Sequence, residues 1–423
     1  MMIRMLALNS ESVAGFFIGL SLGGEEAACD GWVLMLNGFQ YKDINRLVSP
    51  LSESSKSGEF QFNVGVIGAT GYIGAPYRAE IREAAGASIV ALCARRRELL
   101  DQAGEEDGAE LLTDNWREVV QHPNVNFIIV ATPDALHHEA VMACADAGKH
   151  LLCEKPVGVN ADEAYEMWAA YRDAGLAHYV PFWVRFCEPF LRTREVLESG
   201  LLGDIRGVVY RWHNPRPNDM PLTWRDDAGL SASGSIADVG SHAYDTLRWL
   251  LGREAVRVQA HADTITPARA DLGAINLTEA LELGQTGGKA QSAKRKGQTY
   301  DYASVAWEFD DGAVATLVLS HTPFFRKGIA PELELHGTKA SLGLDRVSGN
   351  LTLAKPGEPA EIIDTVSDNG FGNRFSRYVF PSLRQVLGGK KTDHPDLQDG
   401  WRVQIFTDAA ARSARSGRWE TVE

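Results

Sequence analysis

Short apolar runs separated by amphipathic stretches recur through the chain from residue 60 onwards. The run Phe62–Gly68 reads as a buried strand, and a glycine-rich turn then leads into an amphipathic stretch from Ala75 to Ala85. Helical stretches alternate with further apolar runs at Ser88–Cys93, Phe127–Ala131, His150–Cys153 and His178–Phe182. Strands that alternate with helices indicate a doubly wound parallel sheet. We therefore predict a Rossmann-type α/β domain over residues 60–183.

In this half, capping residues predict where two of the helices begin. Asp134 comes just after a strand end and is predicted to cap a helix that runs to Ala147. Asn160 and Glu163 have the spacing of a capping box, which predicts a helix from there to about Asp173.

The second half changes to β-rich runs. They lie at Ile205–Trp212, Val256–Thr264, Tyr302–Phe309 and Ala313–Ser320. A hairpin signal at 310–312 joins the last two runs. Helices predicted near 373–387 and 397–415 are expected to pack back on the first domain. Residues 269–300 contain glycines and a basic run, and we predict a mobile insertion there. We predict a second α/β domain over residues 184–423.

Residues 1–59 follow neither pattern. The run Val13–Leu22 is apolar, but only Arg4 supplies a positive charge before it and Glu11 stands just upstream, so a cleaved signal peptide is disfavoured. Residues 50–59 read as a polar linker. No run of about 20 apolar residues predicts a membrane-spanning helix. We expect a poorly ordered extension with no membrane partner.

Composition narrows the class of protein. The 423 residues are 44% hydrophobic and 23% charged, as in globular proteins with two domains. Acidic residues outnumber basic ones by 56 to 42, and a net charge of −14 argues against a nucleic-acid partner. The five cysteines lack CxxC spacing, which favours a reducing compartment and a cytoplasmic location.

The glycine-rich turn carries the first candidate chemistry. Between strand and helix, glycines let the backbone approach a pyrophosphate whose charge lies on the helix N-terminus. This predicts a dinucleotide cofactor, although a glycine turn alone also fits a tight strand–helix connection. The predicted cofactor-binding residues of the turn are Gly68, Ala69, Thr70, Gly71, Tyr72 and Ile73.

Three arginines follow the second strand, about 20 positions after the glycine motif. NAD enzymes commonly place an acidic residue there to bind the ribose 2′-hydroxyl. Arg95, Arg96 and Arg97 stand there instead, and a guanidinium is suited to a 2′-phosphate. We therefore expect Arg95 and Arg96 to favour NADP(H), with NAD(H) possible. A solvated start of the next helix is the alternative.

Several segments together resemble one family, the Gfo/Idh/MocA oxidoreductases. They are GVIGATGYIG, VATPDALHHEAVMACADAGKHLLCEKP, GSIADVGSHAYDTLRWLLG, DDGAVATLVLSH and LELHGTKASLGLD. The resemblance covers roughly residues 62–422. It implies a Rossmann domain followed by an α/β domain with a large, mostly antiparallel open sheet, whose exposed face commonly mediates homodimers or homotetramers.

The resemblance also implies catalytic residues. Lys155 of the EKP motif would lie between nicotinamide and substrate, His242 would exchange a proton with the substrate hydroxyl, and Asp238 would orient the substrate. On residues alone, Lys155 could instead pair with Glu154 at a strand end. The spacing of Asp238 and His242 also fits half of a metal site or a surface ion pair, but no third ligand is evident and no metal is expected.

Further residues are expected around this centre. Near the cofactor, the resemblance points to Thr132, Pro133, His137, Glu154 and Lys155. The expected substrate contacts are Arg185, Trp224 and Arg225, and Trp212, His213 and Asn214 could also line a carbohydrate pocket.

We expect hydride transfer at a secondary alcohol or ketone carbon of a sugar, polyol or related compound. The alternatives are a diol dehydrogenase or an NAD-retaining glycosidase of the same fold and, from another class, a nucleotide-sensing regulatory protein.

Overall fold

The structure is a computed structural model that describes residues 4–7, 16–19, 59–273, 275–286, 292–367, 370 and 372–423. The chain divides into two compact units, Met1–Gly58 and Glu59–Glu423. In the first unit, strands β1 (Arg4–Ala7) and β2 (Phe16–Gly19) pair antiparallel. The prediction of a poorly ordered extension falls mostly outside the described residues.

A parallel sheet forms the first half of the second unit. Its strands are β3 (Phe62–Ile67), β4 (Ala87–Cys93), β5 (Leu111–Thr113), β6 (Phe127–Val130), β7 (His150–Cys153) and β8 (His178–Tyr179). The helices that connect them are α1 (Gly74–Arg82), α2 (Arg97–Asp107), α3 (Trp116–Gln121), α4 (His137–Asp146) and α5 (Ala161–Ala174). The strand order is β5-β4-β3-β6-β7-β8, and every pair is parallel, which confirms the Rossmann-type fold. Strand β8 is shorter than predicted because the Val180 amide donates to Pro395 O instead of continuing the sheet.

The rest of this unit is built around a second sheet. Its strands are β9 (Ile205–His213), β10 (Ala255–Asp263), β11 (Arg269–Ala270), β12 (Lys294–Arg295), β13 (Tyr302–Phe309), β14 (Val314–Ser320), β15 (Leu333–Gly337), β16 (Ser341–Asp345), β17 (Asn350–Ala354), β18 (Glu361–Thr365) and β19 (Glu420–Thr421). The helices are α6 (Glu188–Glu198), α7 (Ser235–Leu251), α8 (Leu277–Thr286), α9 (Phe380–Leu387) and α10 (Leu397–Ser416).

Nine of these strands form one sheet in the order β18-β17-β16-β15-β9-β14-β13-β10-β19. All neighbours are antiparallel except β9 and β14, which confirms the predicted large, mostly antiparallel sheet. Alternate residues of β13 are buried, as expected when helices cover one face only. On the covered face, Tyr244 of α7 stacks on Phe406 of α10 with ring centroids 3.8 Å apart.

The last two helices contact the Rossmann half. Phe380, at the start of α9, stacks on Phe62 of β3 with ring centroids 4.4 Å apart. From α10, the Asp408 carboxylate accepts a hydrogen bond from the Ala161 amide of α5 at 2.6 Å. The chain therefore returns to its first domain after completing the second. Among the described residues, no helix is both long and apolar enough to cross a membrane.

The segment 269–300, expected to be a mobile insertion, contains regular elements that the sequence reading missed. Strands β11 and β12 pair antiparallel. Between them, Leu277 and Ala280 of α8 form a small apolar cluster with Met220. A Cβ added at Gly284 would lie 2.8 Å from Pro217 Cβ, so this glycine lets the helix approach the 217–220 loop closely. Packing of a few small apolar residues against a distant loop leaves little periodic signal in the sequence.

Candidate active site

The glycine turn between β3 and α1 is shaped for a phosphate. Gly68 has φ +90°, and a Cβ there would lie 2.4 Å from Ala131 O, whereas a Cβ at Gly74 would lie 2.2 Å from Gly68 O. Helix α1 begins without a side-chain cap or an acidic residue in its first turn. The amides of Thr70, Tyr72 and Ile73 have no acceptor among the described residues. These donors at a helix N-terminus fit the pyrophosphate of a dinucleotide.

The remaining predicted residues of the turn have different roles. Ala69 is buried and its amide donates to Cys93 O at 3.1 Å, so it fixes the turn on the neighbouring strand. The Gly71 amide is also used internally, donating to Gly68 O at 3.0 Å. The Tyr72 side chain is 47% exposed beside the free amides.

The three arginines after β4 are not equivalent. Arg95 is exposed and makes no hydrogen bond or ion pair with any described residue. Arg96 Nη1 lies 2.5 Å from Glu279 Oε1 of α8. Arg97 pairs with Asp101 one turn further along α2. Of the two arginines predicted to bind the ribose phosphate, only Arg95 is therefore without a protein partner in the described chain.

The loop after β6 lies at the carboxyl end of its strand, where a second part of the cofactor site is predicted. Thr132 Oγ1 is buried without a hydrogen-bond partner among the described residues, and Pro133 beside it is half-buried. His137 does not have a free ring nitrogen for a ligand. Its Nδ1 lies 3.0 Å from Pro156 O and its Nε2 lies 2.8 Å from Thr132 O, and burial lowers its pKa. His137 was expected to contact the nicotinamide. Its ring instead joins the loop at Thr132 to the loop at Pro156.

Glu154 is likewise committed to the protein. Its carboxylate accepts hydrogen bonds from the Tyr77 hydroxyl and, at 3.1 Å, from the Lys155 amide. Trp183 Nε1 in turn donates to the Tyr77 hydroxyl at 2.9 Å. The Glu154 carboxylate therefore belongs to a buried network beneath the EKP loop, and its contact with the cofactor stays a prediction.

The Lys155 ammonium turns towards the second domain. Its Nζ lies 2.9 Å from Asp238 Oδ1 and 3.0 Å from Asp238 O, at the start of α7. The alternative in which Lys155 pairs with Glu154 is wrong, because the Glu154 carboxylate meets only the backbone of Lys155. The contact joins the carboxyl end of one parallel strand to a helix of the other domain, where ligands of open α/β sheets bind.

Further donors surround the same carboxylate. Arg216 Nη2 and His321 Nε2 both lie 3.4 Å from Asp238 Oδ2, and Arg225 Nε lies 3.6 Å from it. Burial alone would raise the pKa of Asp238, but the surrounding charges, Lys155 first, hold it well below its ordinary value. Burial, reinforced by Arg216, lowers the pKa of His321. Asp238 is therefore an anion at the centre of a donor cluster.

His242 lies one turn after Asp238, because the segment is helical as the spacing required. Its ring stacks on Trp212 at 5.7 Å between centroids and meets Phe182 edge-on. Burial, together with Lys155, lowers its pKa well below the ordinary value. Nδ1 is buried and neither ring nitrogen has a hydrogen-bond partner among the described residues. A neutral imidazole with a free nitrogen can accept a proton.

The Asp134 carboxyl group lies near Asp238, although the sequence predicted it as a helix cap. The prediction that it caps α4 is wrong, because the residue before that helix is Leu136 and no side chain caps it. Asp134 Oδ2 instead accepts a hydrogen bond from the Ala232 amide of the second domain at 3.4 Å. Burial, and secondly the charge of Asp238, raise the pKa of Asp134 to about 7.

The predicted substrate residues divide between two places. Arg225 lies at the site, with Nη1 buried and without a partner in the described chain, and its guanidinium covers the Trp224 ring at 4.4 Å. Arg185 does not join them. It is 5% exposed and binds Asp245 at 2.5 and 2.8 Å and Asp399 at 3.1 Å. Its expected substrate contact is corrected to a structural ion-pair network.

Three residues near Asp238 were not predicted from the sequence as part of the site. They are Asp134, Arg216 and His321. His321 ends the quoted segment DDGAVATLVLSH, so its place at a strand end was a usable signal, whereas no motif marked Arg216. The tryptophan of the expected carbohydrate segment, Trp212, supports the His242 ring instead. No three His, Cys, Asp or Glu side chains gather as a metal site in the described part of the chain.

Fold and site together define an NAD(P)-binding oxidoreductase with two domains. Residues 62–182 match the oxidoreductase family with an NAD-binding Rossmann fold, and residues 190–343 match the GFO/IDH/MocA C-terminal domain. The chain belongs to the Gfo/Idh/MocA family of oxidoreductases, which confirms the resemblance.

Two curated relatives cover most of the chain. Levoglucosan dehydrogenase of Pseudarthrobacter phenanthrenivorans is 27% identical over 348 residues, which are 77% of this chain and 87% of that protein. Myo-inositol 2-dehydrogenase of Thermotoga maritima is 27% identical over 365 residues, 84% of this chain and 97% of the relative. A solved levoglucosan dehydrogenase in complex with NADH and L-sorbose has a TM-score of 0.71 at 23% identity, covering 86% of this chain and 99% of that one. That likeness concerns the fold.

Proposed function

We propose that this protein is an NAD(P)-dependent dehydrogenase or reductase that transfers hydride at a secondary alcohol or ketone carbon of a sugar or polyol. The observation that carries the proposal is the convergence of the Lys155 ammonium, the Asp238 carboxylate and the neutral His242 ring at the edge of the Rossmann sheet. The names of the two relatives, which act on levoglucosan and myo-inositol, support a carbohydrate-like substrate.

The proposed chemistry divides between cofactor and protein. The bound nicotinamide supplies the hydride acceptor or donor. Lys155, held by Asp238, donates a hydrogen bond to the reacting oxygen and lowers the pKa of the substrate hydroxyl. His242, whose Nδ1 has no hydrogen-bond partner in the described chain, offers a ring-nitrogen lone pair to the hydroxyl proton. Trp212 holds the ring plane by stacking, so the base is oriented before substrate binds.

Cofactor preference is part of the proposal. Arg95 supports binding of a 2′-phosphate, because it is exposed after β4 and has no protein partner in the described residues. We propose that NADP(H) is favoured and that NAD(H) is also accepted. A cytoplasmic location is supported by the free, buried thiols of Cys93, Cys144 and Cys153.

We also propose a homodimer or homotetramer. The face of the nine-stranded sheet that the helices leave uncovered supports it, since Val314 of β14 is 52% exposed there. Light scattering of the purified protein would test this, and a monomer at micromolar concentration would contradict it.

The test is a screen of sugars and polyols with NADP and NAD in parallel, followed by absorbance of the reduced nicotinamide. His242→Ala should lower turnover by about 10²–10⁴-fold, as removal of an acid–base group does. His138→Ala is the matched control, because that histidine pairs with Glu166 at the surface. Unaltered turnover in His242→Ala would reject the mechanism. Nucleotide binding without any turnover would favour a regulatory protein, and substrate cleavage without net reduction would favour a glycosidase.

A further inference from the structure

We propose that Glu279 of α8 is a cofactor-selectivity residue. By holding Arg96, it withdraws one of two arginines from the ribose 2′-phosphate of NADP and so keeps NAD acceptable to the enzyme. The inference rests on the proposed function, in that the ligand of the glycine turn is a nicotinamide dinucleotide.

The contact joins two distant parts of the chain. Arg96 directly precedes α2, at the carboxyl end of β4, where the adenosine ribose of a dinucleotide lies in a Rossmann fold. Its Nη1 meets Glu279 Oε1 at 2.5 Å, although the two residues are 183 positions apart. Both side chains are 38% exposed, so the pair lies at the protein surface and is accessible to a ligand.

Glu279 is held in this orientation by its own helix. Its second oxygen, Oε2, accepts a hydrogen bond from the Asn276 amide at 3.0 Å, and the Glu279 amide donates to Asn276 Oδ1 at 2.9 Å. This reciprocal capping fixes the first turn of α8. The helix itself is anchored on the loop around Met220. The carboxylate is therefore preorganised, unlike most long side chains in surface ion pairs.

The charge of Glu279 affects the binding of NADP and of NAD differently. Burial opposes ionisation of Glu279, but the contacts with Arg96 and Asn276 keep its pKa below the ordinary value, so it is an anion at neutral pH. It neutralises Arg96 and repels a 2′-phosphate. A ribose 2′-hydroxyl, in contrast, is uncharged and can donate a hydrogen bond to a carboxylate. Arg95 alone is left to attract the phosphate.

Glu279→Gln tests the inference without any need for the sugar substrate. Calorimetric titration with adenosine 2′,5′-bisphosphate and with adenosine 5′-monophosphate separates the 2′-phosphate from the rest of the ligand. Releasing Arg96 for a charge-assisted contact with the 2′-phosphate, together with loss of the repelling carboxylate, should tighten bisphosphate binding by about 5- to 30-fold, and monophosphate binding by less than about 2-fold. The NADP-to-NAD ratio of kcat/KM should rise by a similar factor.

Two further variants make the result specific. Glu282→Gln removes an exposed charge of the same helix and should leave the ratio unchanged. In an Arg96→Ala background, Glu279→Gln should have a smaller effect, because it then removes only the direct repulsion of the phosphate and releases no guanidinium. An unchanged ratio in Glu279→Gln, or an equal effect in both backgrounds, would overturn the inference. Failure of the wild-type protein to bind either nucleotide would instead overturn the proposed function.

Discussion

Replacing Asp134 by asparagine should stabilise the protein in a pH-dependent way. The side chain is 2% exposed and lies among residues of both domains, with Ala232 as its hydrogen-bond donor. Asparagine keeps an acceptor oxygen for that amide and is nearly the same size. The variant therefore removes the charge of residue 134 with little change in packing.

The magnitude follows from the pKa of Asp134, which rises from an ordinary value of 3.8 to about 7 on folding. Between these values the folded protein binds one proton more than the unfolded chain, so its stability falls as pH rises. Each pH unit between these two pKa values lowers the free energy of unfolding by about 1.4 kcal/mol. The loss therefore reaches at most about 4 kcal/mol above pH 7. Asparagine has no such cost. The gain from Asp134→Asn should grow by about 2–3 kcal/mol from pH 5 to pH 7 and then level off.

Urea unfolding of both proteins at pH 5, 6, 7 and 8 measures this difference, and thermal midpoints provide a second readout. Asp146→Asn, which removes an exposed carboxylate near the end of α4, is the matched control and should show no growth of the difference with pH. A stability difference between Asp134→Asn and wild type that is equal at all four pH values would refute the reasoning. So would a gain that keeps growing above pH 7, because the carboxyl would then titrate elsewhere.

Three other changes test separate parts of the structure. Gly74→Ala should weaken nucleotide binding at least tenfold in a titration, because its Cβ would meet Gly68 O at 2.2 Å and must displace the turn. Arg185→Met should lower the free energy of unfolding by about 3–5 kcal/mol in urea, because it leaves the buried Asp245 carboxylate without its main partner; an unchanged midpoint would contradict that role. Lys155→Met should reduce kcat by about 10²-fold or more while the dissociation constant of NADP changes little, and equal losses in both would point to a cofactor-binding role instead.

The Rossmann half could be predicted closely from the sequence because its signals are local. Buried parallel strands are continuous apolar runs, and each connecting helix is complete within 6 to 14 residues. Strand β7, for example, has the predicted bounds His150–Cys153. Strand β8 was predicted too long since its end is set by Pro395, more than 200 positions away. Helix α8 was missed for the same reason, because its anchor is the loop around Met220.

In the site, as in the fold, local motifs could be predicted but contacts between distant residues could not. Lys155 and Asp238 belong to recognisable motifs, and the structure brings them together. Arg185 was expected at the site because it matches the family pattern, but a buried guanidinium is placed by its partners, and Asp245 and Asp399 are remote in sequence. His321 reaches Asp238 only through the fold of the second sheet. Sequence motifs therefore pointed to the proposed reacting groups but not to the residues that set their charge.

That charge environment favours the proposed reaction. Three cationic side chains, Lys155, Arg216 and Arg225, lie within 3.6 Å of the Asp238 carboxylate, so positive charges outnumber this anion. In the proposed reaction, a substrate hydroxyl that loses its proton to His242 would develop negative charge on its oxygen near these side chains. Preorganised positive charge in a buried site stabilises such an oxygen without reorganisation of water. The same positive charge would polarise a carbonyl oxygen in the reverse direction, so this environment suits both directions of the proposed hydride transfer.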